Sequence, residues 1–151
     1  MTKSILLLLA GVMAAAFCFS GCTVIREYPP EKSAVTVAPQ EYELARKLLQ
    51  AFIQNDAETF VTLLPEETRT KFTVKNFAST RKSVVESIGE PISYAYMTTL
   101  ELPTLHPQIW KVRFRRKNIN QTREYTSEAL FKVVTGMDNN KKAVITGFFF
   151  L

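Results

Sequence analysis

The apolar side chains of this chain repeat with one period up to Gly89 and with another after Pro91, and that switch restricts the folds open to it. Before the switch, Ala45, Leu48, Leu49, Phe52 and Ile53 recur at the spacing of one helix face, which predicts an amphipathic helix over about 40–54. Pro39 suits its first turn, and Glu41 and Glu43 sit near the positive end of its dipole. Asn55 or Asp56 caps a short second helix running to Leu64, with Phe60, Leu63 and Leu64 turned inward. Pro65-Glu66-Glu67 opens a further turn that fades near Lys71 and Phe72, and Thr73 caps a helix over 74–88 that buries Phe77, Val84, Val85 and Ile88 and stops at Gly89. After the switch the period is two. Tyr94, Tyr96, Thr98, Leu100 and Leu102 alternate with smaller or polar residues, and Trp110, Val112 and Phe114 alternate with Lys111, Arg113 and Arg115. Tyr125, Ala129, Phe131 and Val133 share a face of a third strand, and 142–151 forms a fourth. Turn residues cluster at 103–107, 118–121 and 136–141. Helices first and an antiparallel meander after them make an α+β domain, with N-terminal helices packed on a curved four-stranded antiparallel sheet.

The first 22 residues follow a different logic. Lys3 precedes an apolar stretch over 5–19, which ends in Phe19-Ser20-Gly21-Cys22. A cationic start, an apolar run and small residues at its end describe an export signal. The closing four residues resemble the lipobox of bacterial lipoproteins, with Phe19 where Leu is usual. Cys18 does not fit that pattern because Phe17 precedes it, so Cys22 is the expected lipidation site and cleavage falls between Gly21 and Cys22. An uncleaved membrane-spanning helix is the rival reading. The Ala- and Gly-rich second half and the small-small-Cys triplet argue against it. The expected organisation is a signal peptide over 1–21, a lipidated N-terminus and extended tether over 22–38 containing Pro29-Pro30, and the α+β domain over 39–151. The lipid would make the membrane a partner and the cell envelope the location. In a Gram-negative host, Thr23 in place of Asp favours the outer membrane, facing the periplasm.

Composition excludes several functions. Both cysteines lie at or before Cys22, so the domain holds no disulfide and no thiolate metal site. No run of basic residues exceeds Arg115-Arg116-Lys117, which speaks against a nucleic-acid partner. Five glycines supply no phosphate-cradling loop, and a lone histidine supplies no His-based metal site, so neither cofactor nor metal is expected. That histidine, His106, lies between Leu105 and Pro107 in a predicted turn. A general base is one reading of it, and an exposed loop residue is the expected one.

The run Ala-Phe-Ile-Gln-Asn-Asp-Ala-Glu-Thr-Phe-Val-Thr-Leu-Leu over 51–64 resembles the opening of the nuclear-transport-factor-2-like superfamily, where a first helix ends at a polar pair and a short second helix follows. The resemblance implies a sheet wrapped over the helices as a cone, with Lys71-Phe72-Thr73 as a short first strand. It is closest to secreted bacterial members that carry no catalytic motif. Enzymes of the superfamily hold a carboxylate inside the cone, where desolvation raises its pKa. On the predicted strands the acidic residues are Glu101, Glu124 and Glu128, with Tyr94, Tyr96 and Tyr125 as partners. Glu101 and Glu124 read as solvent-face charges and Glu128 as ambiguous, so no catalytic residue is assigned. The set Tyr96, Trp110, Phe114, Tyr125, Glu128 and Phe131 is the candidate pocket or interface. Phe148-Phe149-Phe150 makes both faces of the last strand aromatic, which implies a closed cone or a surface for a partner. The stripe Lys111, Arg113, Arg115, Arg116 and Lys117 reads most simply as a solvated strand face, and secondarily as a contact for anionic lipid headgroups or an acidic partner. The resulting expectation is a non-enzymatic envelope lipoprotein that binds a partner protein or a small apolar ligand. Its alternatives are a cone-pocket isomerase or hydrolase using a buried carboxylate, and a structural subunit of an envelope complex.

Overall fold

The computed structural model describes residues 26–27, 37–117 and 124–151. The signal peptide, Cys22, most of the tether and the predicted turn at 118–121 lie outside the described residues. In chain order the elements are β1 (Arg26–Glu27), α1 (Pro39–Gln54), α2 (Ala57–Thr62), α3 (Glu66–Arg69), α4 (Val74–Ile88), β2 (Glu90–Thr99), β3 (Leu105–Lys117), β4 (Glu124–Met137) and β5 (Ala143–Phe150). Strands β2 to β5 form one antiparallel meander, and the α+β architecture matches the sequence reading. Register shifts between Pro91 and Ser93, Tyr96 and Thr98, and Val134 and Thr135 bend the sheet so that it curves over the helices.

Local chemistry fixes the helix ends. Asn55 takes a left-handed conformation (φ 59°) and closes α1. The next residue, Asp56, accepts a hydrogen bond from Thr59 N at 3.0 Å and starts α2. Thr73 and Asn76 form a reciprocal capping box at the start of α4. Gly89 ends α4 at φ 109°, and a Cβ there would lie 2.6 Å from the carbonyl oxygen of Arg115. Only glycine permits both that conformation and that approach of helix end to strand. The core between helices and sheet holds Leu48, Leu49, Phe52, Phe60, Phe77, Tyr94, Tyr96, Trp110, Val112, Phe114, Phe131 and Val133.

Four local expectations are corrected. Lys71-Phe72-Thr73 forms no strand but the turn between α3 and α4, where Phe72 N bonds Thr68 O at 2.8 Å. Leu100 and Leu102 lie beyond the end of β2 and are exposed. His106 and Pro107 belong to β3 and not to a turn. Proline is tolerated there because its carbonyl, which accepts from Leu100 N at 2.8 Å, faces the side where β2 pairing has just ended at Thr99–Gln108. Finally, Arg26 and Glu27, inside the stretch read as tether, pair in parallel with Ser93 and Tyr94 on the β2 edge.

Candidate functional site

One cavity, of about 280 Å³, opens between the helices and the inner face of the sheet. Phe52 of α1 and Phe60 of α2 form one side, and Phe77, Thr80 and Val84 of α4 form a second. Phe72, Phe131 of β4, and Phe148, Phe149 and Phe150 of β5 complete the lining. Eight of the eleven phenylalanines of the chain therefore meet at one place, and none of the described residues around it is ionisable. The rings interlock at the offset and edge-on geometries that aromatic quadrupoles favour. Phe60 sits among Phe77 at 4.9 Å, Phe148 at 5.0 Å and Phe72 at 5.9 Å between centroids. Phe131 and Phe150, cross-strand partners, lie 4.8 Å apart. Phe149 also lies beneath Lys132, whose ammonium is 4.2 Å from the ring centroid.

The opposite end of the concave face is polar. Strand β3 presents His106, Gln108, Trp110, Val112 and Phe114 at alternate positions, grading from polar to aromatic. Glu41, in the first turn of α1, is wholly buried, and its two carboxylate oxygens lie 3.1 and 3.0 Å from Nδ1 of His106. Which of the two donates depends on the histidine tautomer, and in either case one hydrogen cannot align with both oxygens. Oε2 of Glu41 accordingly has no well-aligned donor among the described residues. The α1 N-terminus adds favourable dipole charge. Beside this pair, Gln108 Nε2 donates to the Glu41 carbonyl and to Thr135 Oγ1, both at 3.1 Å, and Thr135 Oγ1 donates to the His106 carbonyl at 3.3 Å. Tyr42, Tyr96 and Trp110 pack beyond it with centroids 5.2–5.4 Å apart. His106 is four residues along β3 from Trp110, about 13 Å at strand rise, and neither His106 nor Glu41 borders the cavity.

Of the six residues singled out from sequence, only Phe131 lines the cavity. Tyr96, Trp110 and Phe114 are buried in the core, whereas Tyr125 is half exposed near the start of β4. Glu128 lies on the outer face, ion-paired with Arg113 at 3.0 Å and with Lys111 at 3.9 Å. Glu101 is exposed in the β2–β3 connection, and Glu124 lies 4.0 Å from Arg115. His106 is the clearest correction: only 31% of its side chain is exposed, and it serves a buried acid. Sequence reasoning passed over Glu41, although its spacing to Ala45, Leu48 and Phe52 (i+4, i+7, i+11) placed it on the apolar face of α1. Among the described residues no cluster of three metal-binding side chains occurs, and no helix is long and apolar enough to cross a membrane.

No family model matches the sequence, and no curated protein is significantly similar to it. Solved structures are similar to this domain to different degrees. A ketosteroid isomerase-like protein from Erwinia carotovora atroseptica superposes with a TM-score of 0.53 at 10% identity, over 74% of this chain and 92% of its own. A SnoaL-like polyketide cyclase from Shewanella denitrificans gives a TM-score of 0.48 at 13% identity, over 76% of this chain and 90% of its own. The domain thus has the nuclear-transport-factor-2-like fold, a cone of helices and curved sheet.

Proposed function

We propose that this chain is a lipoprotein of the cell envelope, anchored through Cys22, whose cone binds a small apolar ligand without transforming it. The observation that carries the binding reading is the cavity: eight phenylalanines, Thr80 and Val84 surround it, and among the described residues no acid, base or nucleophile stronger than a hydroxyl reaches it. Such a lining rewards the transfer of apolar surface out of water, at roughly 25 cal/mol per Å² buried, and offers nothing for proton transfer. The anchor reading is supported by the leader and by the Ser20-Gly21-Cys22 triplet.

The test uses the mature chain made with Cys22→Ser, titrated with a naphthalene-based fluorophore. Saturable binding with a blue-shifted emission is expected, and Val84→Trp, which fills the cavity wall, should weaken it at least tenfold. Equal binding by the filled variant would refute the site. Lipidation is tested separately by the intact mass of the native chain.

The enzyme reading draws on Glu41 and His106, a buried carboxylate that orients an imidazole. It is the weaker of the two, because the pair stands apart from the cavity. It would gain if a substrate were found whose turnover His106→Gln abolishes while fluorophore binding persists.

A further inference from the structure

The basic arm of the sheet and the point where the chain leaves toward its N-terminus lie together. The described residues of this arm, 111–117 and 124–128, contain five basic and two acidic side chains, a net +3 out of the +4 that the chain carries after the leader. On the outer face of this arm Lys111, Arg113 and Arg115 stand in line on β3, served by two carboxylates, Glu128 and Glu124. Arg116, exposed, reaches the carbonyl of Ser87 at 3.2 Å. β1 lies along the other side of β2, with Arg26 opposite Ser93, which is itself opposite Arg113. Two strand spacings, about 10 Å, therefore separate Arg26 from Arg113. Cys22 is four residues before Arg26, and no path of four residues reaches farther than about 14 Å.

We infer that the outer face of this arm is a membrane-docking surface for anionic lipid headgroups, through Lys111, Arg113 and Arg115. The inference rests on the anchor at Cys22 proposed above. With acyl chains on that sulfur, the β1 edge is held within a short reach of the bilayer, not on a tether of several nanometres, and the cationic arm falls within the headgroup potential. The concentration of positive charge on this arm, with the rest of the mature chain summing to only +1, favours an anionic lipid surface over a zwitterionic one.

The experiment is amide hydrogen exchange on the native full-length lipoprotein, reconstituted into vesicles of phosphatidylcholine alone or with one-quarter phosphatidylglycerol. Exchange in peptides covering 111–117 and 124–128 should slow roughly tenfold on the anionic vesicles only, and 0.5 M salt should reverse the effect. Lys111→Glu with Arg115→Glu should abolish the protection while the protein stays vesicle-bound through its lipid. Equal exchange on both vesicles, with the intact mass confirming lipid on Cys22, would overturn the docking surface and leave the anchor standing. An intact mass lacking lipid would overturn both.

Discussion

The two ends of the concave face are built from opposite materials. Around Phe60 the chain gathers neutral aromatic rings and leaves space between them. Around Glu41 it gathers a carboxylate, an imidazole, an amide and a hydroxyl. The first end tolerates a void because an apolar wall asks nothing specific of what fills it. The second is only partly matched: Glu41 Oε2, Gln108 Oε1 and Trp110 Nε1 are buried without a hydrogen-bond partner among the described residues, and each such atom costs about 1–3 kcal/mol. The proposed binding thus belongs to the aromatic end and the polar hydrogen bonds to the other, and strand β3 carries the gradient between them along a single face.

The largest expected effect is at the aromatic end. Phe60→Ala removes a ring packed against four others and should cost about 4 kcal/mol of unfolding free energy, read as a lower urea midpoint at unchanged slope. Apolar ligands larger than the natural cavity should then bind better and restore part of the loss. A cost near zero would show that the rings pack too loosely to form a defined site.

At the polar end, His106→Ala strands the buried Glu41 carboxylate and should cost about 3 kcal/mol. Glu41→Met combined with His106→Leu removes both partners and should recover most of that loss, because an apolar pair of similar volume needs no compensation. Fluorophore binding at the other end should be unchanged in all of these. If His106→Ala instead abolished binding while the fold held, the two ends would not be separate in function.

The smallest effect concerns the turn between α1 and α2. Hydrogen bonds from the Thr59 hydroxyl and then its backbone N–H hold the Asp56 carboxyl below its ordinary range. A depressed folded-state pKa contributes stability that is present above the unfolded value, about 3.9, and lost as pH falls through the folded one. Urea midpoints of the native chain should therefore decline slightly more below pH 4 than those of Asp56→Asn, whose amide caps without titrating. Parallel curves would show that this cap is not felt in global stability.

Much of this architecture was legible because its rules are local. The helical repeat from Ala45 to Ile53, the Asp56 and Thr73 caps and the alternation from Trp110 to Phe114 each depend on residues close in sequence. The site was less legible because it depends on which distant elements meet. That β5 would bring Phe148 and Phe150 against Phe60 and Phe52 follows from sheet curvature, which no short window encodes. His106 was misjudged for a related reason. Two prolines around it resemble a turn, and only the end of β2 at Thr99 reveals how a strand accommodates Pro107. Glu41 was on the right face of its helix, but the expectation that carboxylates stay in water outweighed the periodicity until its partner, 65 residues away, came into view.

Helix α4 supplies Phe77, Thr80 and Val84 to the cavity yet buries only Phe77 fully. Arg81 ties it to the carbonyls of Phe52 and Ile53 and to Glu90, and Gly89 presses its last turn onto β3. Its first half is fastened as well, by the Thr73–Asn76 capping box and by Phe77 packed against Phe60 and Phe52, while Thr80 between the two fastenings is exposed. A guest can therefore enter and leave beside Thr80 by a small shift of α4, with every strand pairing intact. Exchange of bound molecules would then run on the timescale of a moving helix rather than that of global unfolding, which lets one domain be durable and quick to load at once.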